Sequence, residues 1–180
     1  MKLSIFSLTT FTFIFLVFNT CFGQISEELE KKQGFREIKI LNDINTVKTS
    51  YVNKGVDASR YMYAGDSKFL FEQSIDEIHI ETDGKNLIRK IRIFMSPLEN
   101  DIFFSFAKRL KAEFGTSCYV YSKQNSADGT MVWKTNFLYL DFIFSSISWN
   151  KMSVTINIGL QKDLPPDIRK IMFEKQDDGF

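Results

Sequence analysis

"IDEIHIETDGKNLIRKIRIFMSPLENDIFFSFAKRLKAEFG", residues 75–115, contains both the clearest β-hairpin and the clearest helix in this sequence of 180 residues. Two runs of alternating apolar and polar residues flank Asp83-Gly84, a pair suited to the positive φ angles of a tight turn. Such alternation is typical of strands that bury one face. The first part of the stretch is therefore predicted to be an antiparallel hairpin.

The second part of the stretch predicts a helix that ends at Gly115. Ser96 is the expected N-cap, Pro97 the first helical residue and Glu99 the third, which together make a capping box. An apolar stripe at helical spacing would face the core; it consists of Ile102, Phe103, Phe106, Leu110 and Phe114.

The sequence on either side of this stretch is rich in strand patterns. "FREIKIL" (35–41) alternates and predicts a strand. "NDINTVKTSYVNKG" (42–55) predicts a capped helix, with a strand as the alternative because of its β-branched residues. "RYMYAGDSKFLFEQ" (60–73) predicts two short strands around Gly65-Asp66. Further strands are predicted in "SCYVYSK", "MVWKT", "FLYLDFIFS" and "KMSVTINIGL".

Strands joined by short turns indicate antiparallel pairing and hence an α+β fold, an antiparallel meander with one or two packed helices. We expect a polar leader at 24–33, one α+β domain at 34–160 and a tail at 161–180. The domain can be divided into two halves, 35–95 and 96–160, each with one helix and about four strands. The leader itself is either helical or frayed.

The N-terminal segment has the features of a secretory signal peptide. Lys2 precedes a short apolar run, about 11–18, which is followed by "NTCFGQIS" (19–26) and is too short to span a bilayer. Cleavage after Gly23 places small residues at the −1 and −3 positions. A lipid anchor on Cys21 is not expected, because Phe18 and Asn19 suit a lipoprotein signal poorly. The sequence thus predicts export to the periplasm or beyond.

The charge balance excludes some classes of partner. Without residues 1–23 the chain has 22 basic and 22 acidic residues, since Lys2 is the only charge in that segment. Nucleic acid and anionic lipid surfaces both call for a basic excess, so neither is expected as the main partner. Cys118 would be the remaining cysteine, which rules out an intramolecular disulfide.

No motif in the sequence indicates a catalytic site, a metal site or a cofactor. Nucleophile-elbow, zinc, phosphate-loop and dinucleotide patterns are absent, and the single histidine, His79, shares an exposed strand face with Glu77 and Glu81. Asp141, inside "FLYLDFIF", would be buried and is expected to pair with a cation such as Lys134 or one from "IRKIRI". A carboxylate hydrolase using Asp141 with Glu81 or Asp83 remains an alternative.

The segment "FLYLDFIF" is apolar on both faces, so something should cover the second face of the sheet. Either the sheet curls, or the leader or tail packs across it, or this face is an aromatic surface that binds another protein of the cell envelope. The candidate binding residues are Trp133, Tyr139, Tyr119, Tyr121 and Trp149. A third function, the carriage of an apolar ligand, would require a closed cavity lined by phenylalanines.

The order of elements resembles that of β-lactamase-inhibitor-protein-like domains and of small outer-membrane-assembly lipoproteins. The segments that carry the resemblance are "FREIKILNDINTVKTSYVNKG", "LIRKIRIFMS", "KAEFG" and "MVWKTNFLYLDF", within residues 34–160. The Gly-Met or Gly-Leu pair usual before the first helix is replaced by Leu41-Asn42. The resemblance implies a helical layer on an antiparallel sheet, used for protein–protein contact without catalysis, and transfers no functional residue.

Overall fold

The structure is a computed structural model of the chain, and it describes residues 26–47, 52–54, 58–65, 69–116, 119–122, 127–166 and 168–169. The predicted signal peptide with its cleavage after Gly23, Cys21 and Cys118 lie outside the described residues. No helix within the described part is long and apolar enough to cross a membrane.

Two α-helices and eleven strands make up the described chain, with 3-10 turns at Ile44–Thr46 and Gln161–Asp163. The helices are α1 (Glu27–Lys32) and α2 (Asn100–Phe114). The strands are β1 (Gly34–Phe35), β2 (Ile38–Lys39), β3 (Val52–Lys54), β4 (Arg60–Tyr63), β5 (Phe69–Leu70), β6 (Gln73–Thr82), β7 (Ile88–Glu99), β8 (Tyr119–Ser122), β9 (Gly129–Lys134), β10 (Leu138–Ser148) and β11 (Lys151–Leu160).

One antiparallel sheet dominates the fold, in the order β3-β4-β6-β7-β11-β10-β9-β8, with β5 paired to β6 at its side. Two four-stranded meanders, one from each half of the chain, meet where β7 pairs with β11. Strands β1 and β2 form a separate small hairpin. The predicted α+β class with an antiparallel meander is confirmed.

The main core lies between one face of the sheet and a layer made of α2, α1 and the β1–β2 hairpin. Phe103, Phe106 and Leu110 of α2 are buried against inward-facing residues of the central strands. Phe106 and Phe142 stack with ring centroids 5.9 Å apart. The apolar stripe predicted for α2 therefore supplies the main contact between helix and sheet.

The opposite face of the sheet is covered in part by the C-terminal segment. Val132, Tyr139 and Leu164 form a second buried cluster, against which Tyr119 and Ile168 pack. Tyr139 lies over Gly159 of β11, where any Cβ would come within 3.0 Å of the tyrosine ring. The expectation that the tail covers this face is thus correct at the β9–β11 side.

The beginning of α2 differs from the sequence prediction. Strand β7 continues through Glu99, which pairs with Lys151, and the helix begins only at Asn100. Ser96 does not cap the helix; its hydroxyl donates to the Asp76 carboxylate. Ser96 and Pro97 lie opposite a single residue of β11 in a β-bulge, where a missing N–H costs no ladder hydrogen bond. Pairing with β11 outweighs the local capping signal.

Three shorter predictions also need correction. "FREIKIL" is a tight hairpin and not one strand, because Arg36 adopts a positive φ of 54° between β1 and β2. In the β6–β7 loop the residue with positive φ is Asn86 (62°), whereas Gly84, for which a positive φ was predicted, does not adopt one. In the described parts of 42–55 the helix alternative is wrong: they form the 3-10 turn and strand β3.

Candidate functional site

A cavity of about 340 Å³ opens between the sheet, the C-terminal end of α2 and the β1–β2 hairpin. Its floor is aliphatic and comes from three central strands: Ile93 of β7, Leu140 of β10, and Ile156 and Ile158 of β11. Its walls include Leu70, Leu110, Phe35, Phe71 and Phe114. The size and the apolar lining are those of a small-molecule site.

Helix α1 closes one side of the cavity because it is fastened to the end of α2. The Ser26 hydroxyl donates to the Phe114 carbonyl at 2.7 Å and also accepts from the Leu29 amide, which caps α1. Lys32 at the other end of α1 forms an ion pair with Glu113. Both contacts join residues more than eighty positions apart, and they hold a six-residue helix that would be marginal alone.

The β1–β2 hairpin forms another side, and its shape depends on two residues. A Cβ on Gly34 would lie 2.1 Å from the Ile38 carbonyl oxygen, so only glycine permits this close pairing. Arg36 takes the left-handed conformation at the turn. The hairpin thereby turns Phe35 inward and leaves the Arg36 side chain exposed beside the cavity.

The mouth of the cavity carries an excess of positive charge. Among the described lining residues the cations are Lys32, Arg36 and Lys39, and the one acid is Glu113. Glu113 is the partner of Lys32. Arg36 donates to the Phe69 carbonyl at 2.5 Å, and Lys39 donates to the Lys32 carbonyl at 2.6 Å. Neither of these two cations has a carboxylate partner among the described residues.

The five aromatic residues proposed from the sequence do not lie on one surface. Trp133 and Tyr139 are buried on opposite faces of the sheet, so the expectation that they form an exposed patch is wrong. Trp133 donates its indole N–H to the Gly115 carbonyl at 2.8 Å. Tyr119 is half-buried and Tyr121 exposed on strand β8, while Trp149, 90% exposed, lies at the turn between β10 and β11.

Asp141 is buried on the second face and pairs with an amide, not with the cation that the sequence suggested. Its Oδ1 accepts from Asn157 Nδ2 at 2.6 Å and from the Asn157 backbone N–H at 3.2 Å. Its Oδ2 and the Tyr139 hydroxyl, both buried, have no hydrogen-bond partner among the described residues. Burial raises the pKa of Asp141 to about 6, although Asn157, Lys90 and Arg92 oppose the rise.

The other acids considered for catalysis do not join Asp141. Strands β11 and β7 separate Asp141 from Glu81, so their backbones are at least about 14 Å apart, the width of three strand spacings. Glu81 is paired with Arg92 at 2.9 Å, and Asp83 with Arg89 at 3.4 Å. His79 contacts Glu77 at 2.8 Å on a half-exposed strand face. Among the described residues no group of three or more potential metal ligands occurs.

The cavity residues were not predicted from the sequence, because no recognisable motif contains them. The floor residues look like ordinary inward-facing strand positions. The sequence signal that could have pointed to the cavity is the pair of cations in "FREIKIL", which flank apolar residues that must be buried. Interpreting it requires the left-handed turn at Arg36, which arginine rarely adopts.

No protein-family model matches this chain, and no curated protein matches it significantly. Among solved structures it is similar to a DUF4309 family protein, YjgB, from Bacillus subtilis subsp. subtilis str. 168. The two share 12% sequence identity over 76% of this chain and 93% of that chain, with a TM-score of 0.44. At this level neither a family nor a function transfers, and the resemblance to inhibitor-like domains stays a prediction.

Proposed function

We propose that the chain is a non-catalytic binding module that holds a small apolar ligand in the cavity beneath α2. The observation that carries this proposal is a cavity of about 340 Å³ whose lining is mostly apolar and includes the half-buried side chains of Leu70, Phe71 and Phe114. Protein interiors are normally packed without such gaps. Covering the half-buried apolar walls of the cavity with a ligand would remove apolar surface from water, which favours binding.

Two other functions receive less support. A protein-binding aromatic face would lack Trp133 and Tyr139, which are buried. A carboxylate hydrolase would lack a second acid near Asp141, as the strand order requires. The export and envelope location predicted from residues 1–23 are compatible with a carrier and stay predictions.

Binding of the neutral, environment-sensitive dye Nile red tests the proposal. Leu70 borders the cavity and is half-buried, so Leu70→Trp should fill part of the space and weaken dye binding about tenfold, or ~1.4 kcal/mol. The matched control is Phe69→Trp on the adjacent residue, which is 57% exposed and should leave dye affinity unchanged.

The measurement is a fluorescence titration of Nile red with each purified protein, with circular dichroism as the check on folding. No dye binding by the wild-type protein would refute the proposal. Equal affinity in the wild-type, Leu70→Trp and Phe69→Trp proteins would also refute it, since the dye would then bind elsewhere.

A further inference from the structure

We infer that the ligand of this cavity is a single-chain amphiphile with an anionic headgroup, held at the mouth by Arg36 and Lys39. The inference rests on the proposed function and names its ligand class. The apolar cavity would accept the alkyl chain of the ligand, and the basic mouth would accept its negatively charged headgroup.

The two cations have hydrogen-bond capacity that the protein does not use. A guanidinium has five N–H donors and an ammonium has three. Arg36 and Lys39 each donate to one backbone carbonyl, at 2.5 Å and 2.6 Å. These bonds orient the side chains without neutralising them. Lys32, by contrast, is already neutralised by Glu113.

The anchoring of each cation keeps it beside the apolar lining. The Arg36 guanidinium lies 5.1 Å from the Phe35 ring centroid, and Phe35 itself lines the cavity. Lys39 also lines the cavity, and it donates to the carbonyl of Lys32 at the end of α1. An anion would therefore find two anchored cations in the lining of one apolar cavity, a setting in which charge-assisted hydrogen bonds are strong.

The charge distribution argues against the alternative headgroups. A cationic headgroup would face the unneutralised charge of Arg36 and Lys39. A neutral alcohol would gain the apolar contact but not the charge-assisted bonds. Carboxylate and phosphate monoester share the required chemistry, and the experiment below distinguishes them.

Isothermal titration calorimetry with four ten-carbon amphiphiles tests the inference: decanoate, decyl phosphate, decanol and decyltrimethylammonium. We expect decanoate or decyl phosphate to bind about tenfold more tightly than decanol, and decyltrimethylammonium to bind most weakly. The tighter of the two anions identifies the headgroup. The preference for the anions over decanol should weaken at high salt, because Arg36 and Lys39 lie at the surface.

The test variant is the double substitution Arg36→Asn and Lys39→Gln, in which asparagine tolerates the left-handed turn. It should lower the affinity for the two anions to that for decanol, and the decanol affinity of the same variant reports whether the apolar cavity is intact. Lys85→Gln, on the exposed β6–β7 loop, is the matched control and should keep the preference.

The outcomes separate this inference from the proposed function. If Nile red binds but the four amphiphiles bind alike, or none binds, the headgroup inference is wrong and the apolar cavity stands. If the double variant keeps the preference for anions, the inference is wrong as well. If neither Nile red nor any amphiphile binds the wild-type protein, the proposed function fails together with the inference.

Discussion

At the scale of single residues, the most unusual group is the Asp141 carboxyl. It is 1% exposed, and its charged form is solvated by one amide side chain and one backbone N–H, both from Asn157. Lys90 and Arg92 attract it only from a distance, without a hydrogen bond. A buried charge with so little compensation opposes folding, so this residue should make stability depend on pH.

We expect the free energy of unfolding to fall as the pH rises from 3.8 to about 6, the range between the unfolded and folded pKa values of Asp141. The pKa is about 6 in the folded protein and near its ordinary 3.8 when unfolded, so between these values the folded state binds more protons. The loss should reach about 3 kcal/mol and level off above pH 6. Asp141→Asn removes the titrating group but can keep the oxygen that accepts from Asn157.

Urea unfolding of both proteins between pH 4 and pH 8 checks this prediction. The stability of the Asp141→Asn variant relative to the wild-type protein should increase up to about pH 6 and then stay constant. A difference that does not change with pH would contradict the pKa that burial implies. The difference in unfolding free energy between the two proteins cancels the contributions of all other acids, because both proteins contain them.

At the scale of elements, α2 shows how a helix is positioned by tertiary contacts. Its first residue, Asn100, bonds through its side chain to the Trp149 carbonyl at 3.2 Å and through its backbone to Asn150 at 3.2 Å. These contacts to the β10–β11 turn replace the capping box that the sequence indicated. Its inward face then packs on Phe142, while Phe104 points to solvent.

Two phenylalanine-to-alanine substitutions on α2 should differ sharply in their effect on stability. Phe106→Ala removes a fully buried ring and should cost about 3–5 kcal/mol. Phe104, only two residues away and 68% exposed, should change stability by less than about 0.5 kcal/mol. Denaturant unfolding measures both, and equal losses would mean that the face of α2 is assigned wrongly.

At the scale of the whole molecule, the two meanders share one sheet and one core. Strand β7 pairs with β11 over most of its length, from Lys90 with Gly159 to Glu99 with Lys151. The main buried cluster contains residues of both halves. The halves should therefore unfold together, although the sequence can be divided between them.

A destabilising substitution in the first half should lower the unfolding midpoint reported by a tryptophan in the second half. In a Trp149→Phe background, Trp133 of β9 is the sole tryptophan and reports on the second half. Ile80→Ala in β6 should lower the unfolding midpoint seen by Trp133 fluorescence as much as that seen by far-ultraviolet circular dichroism.

Independent halves would give a different result. The Trp133 transition would then stay where it is in the background protein, while circular dichroism would show two steps. Trp149 is almost fully exposed, so its replacement should itself leave stability nearly unchanged.

How much of the fold was predictable depends on whether a signal was local. Alternation in 75–82 and 88–95 defined the central hairpin, and helical spacing in 102–114 defined the inner face of α2. The boundary between β7 and α2 was wrong, because the partner strand β11 lies fifty residues away. The hairpin at 34–39 was missed because it depends on a left-handed arginine.

By itself the sequence determined the fold class, most of the longer strands and the inward face of α2, since burial on a sheet or helix imposes a period that the chain carries locally. Only the tertiary structure decided where the cavity lies and which cations surround its mouth, because residues from α1, β1–β2, α2 and three sheet strands meet there from distant parts of the chain. It also decided that Trp133 and Tyr139 are buried and that Asp141 pairs with Asn157. Contacts of this kind depend on which strands become neighbours, and no local pattern encodes that order.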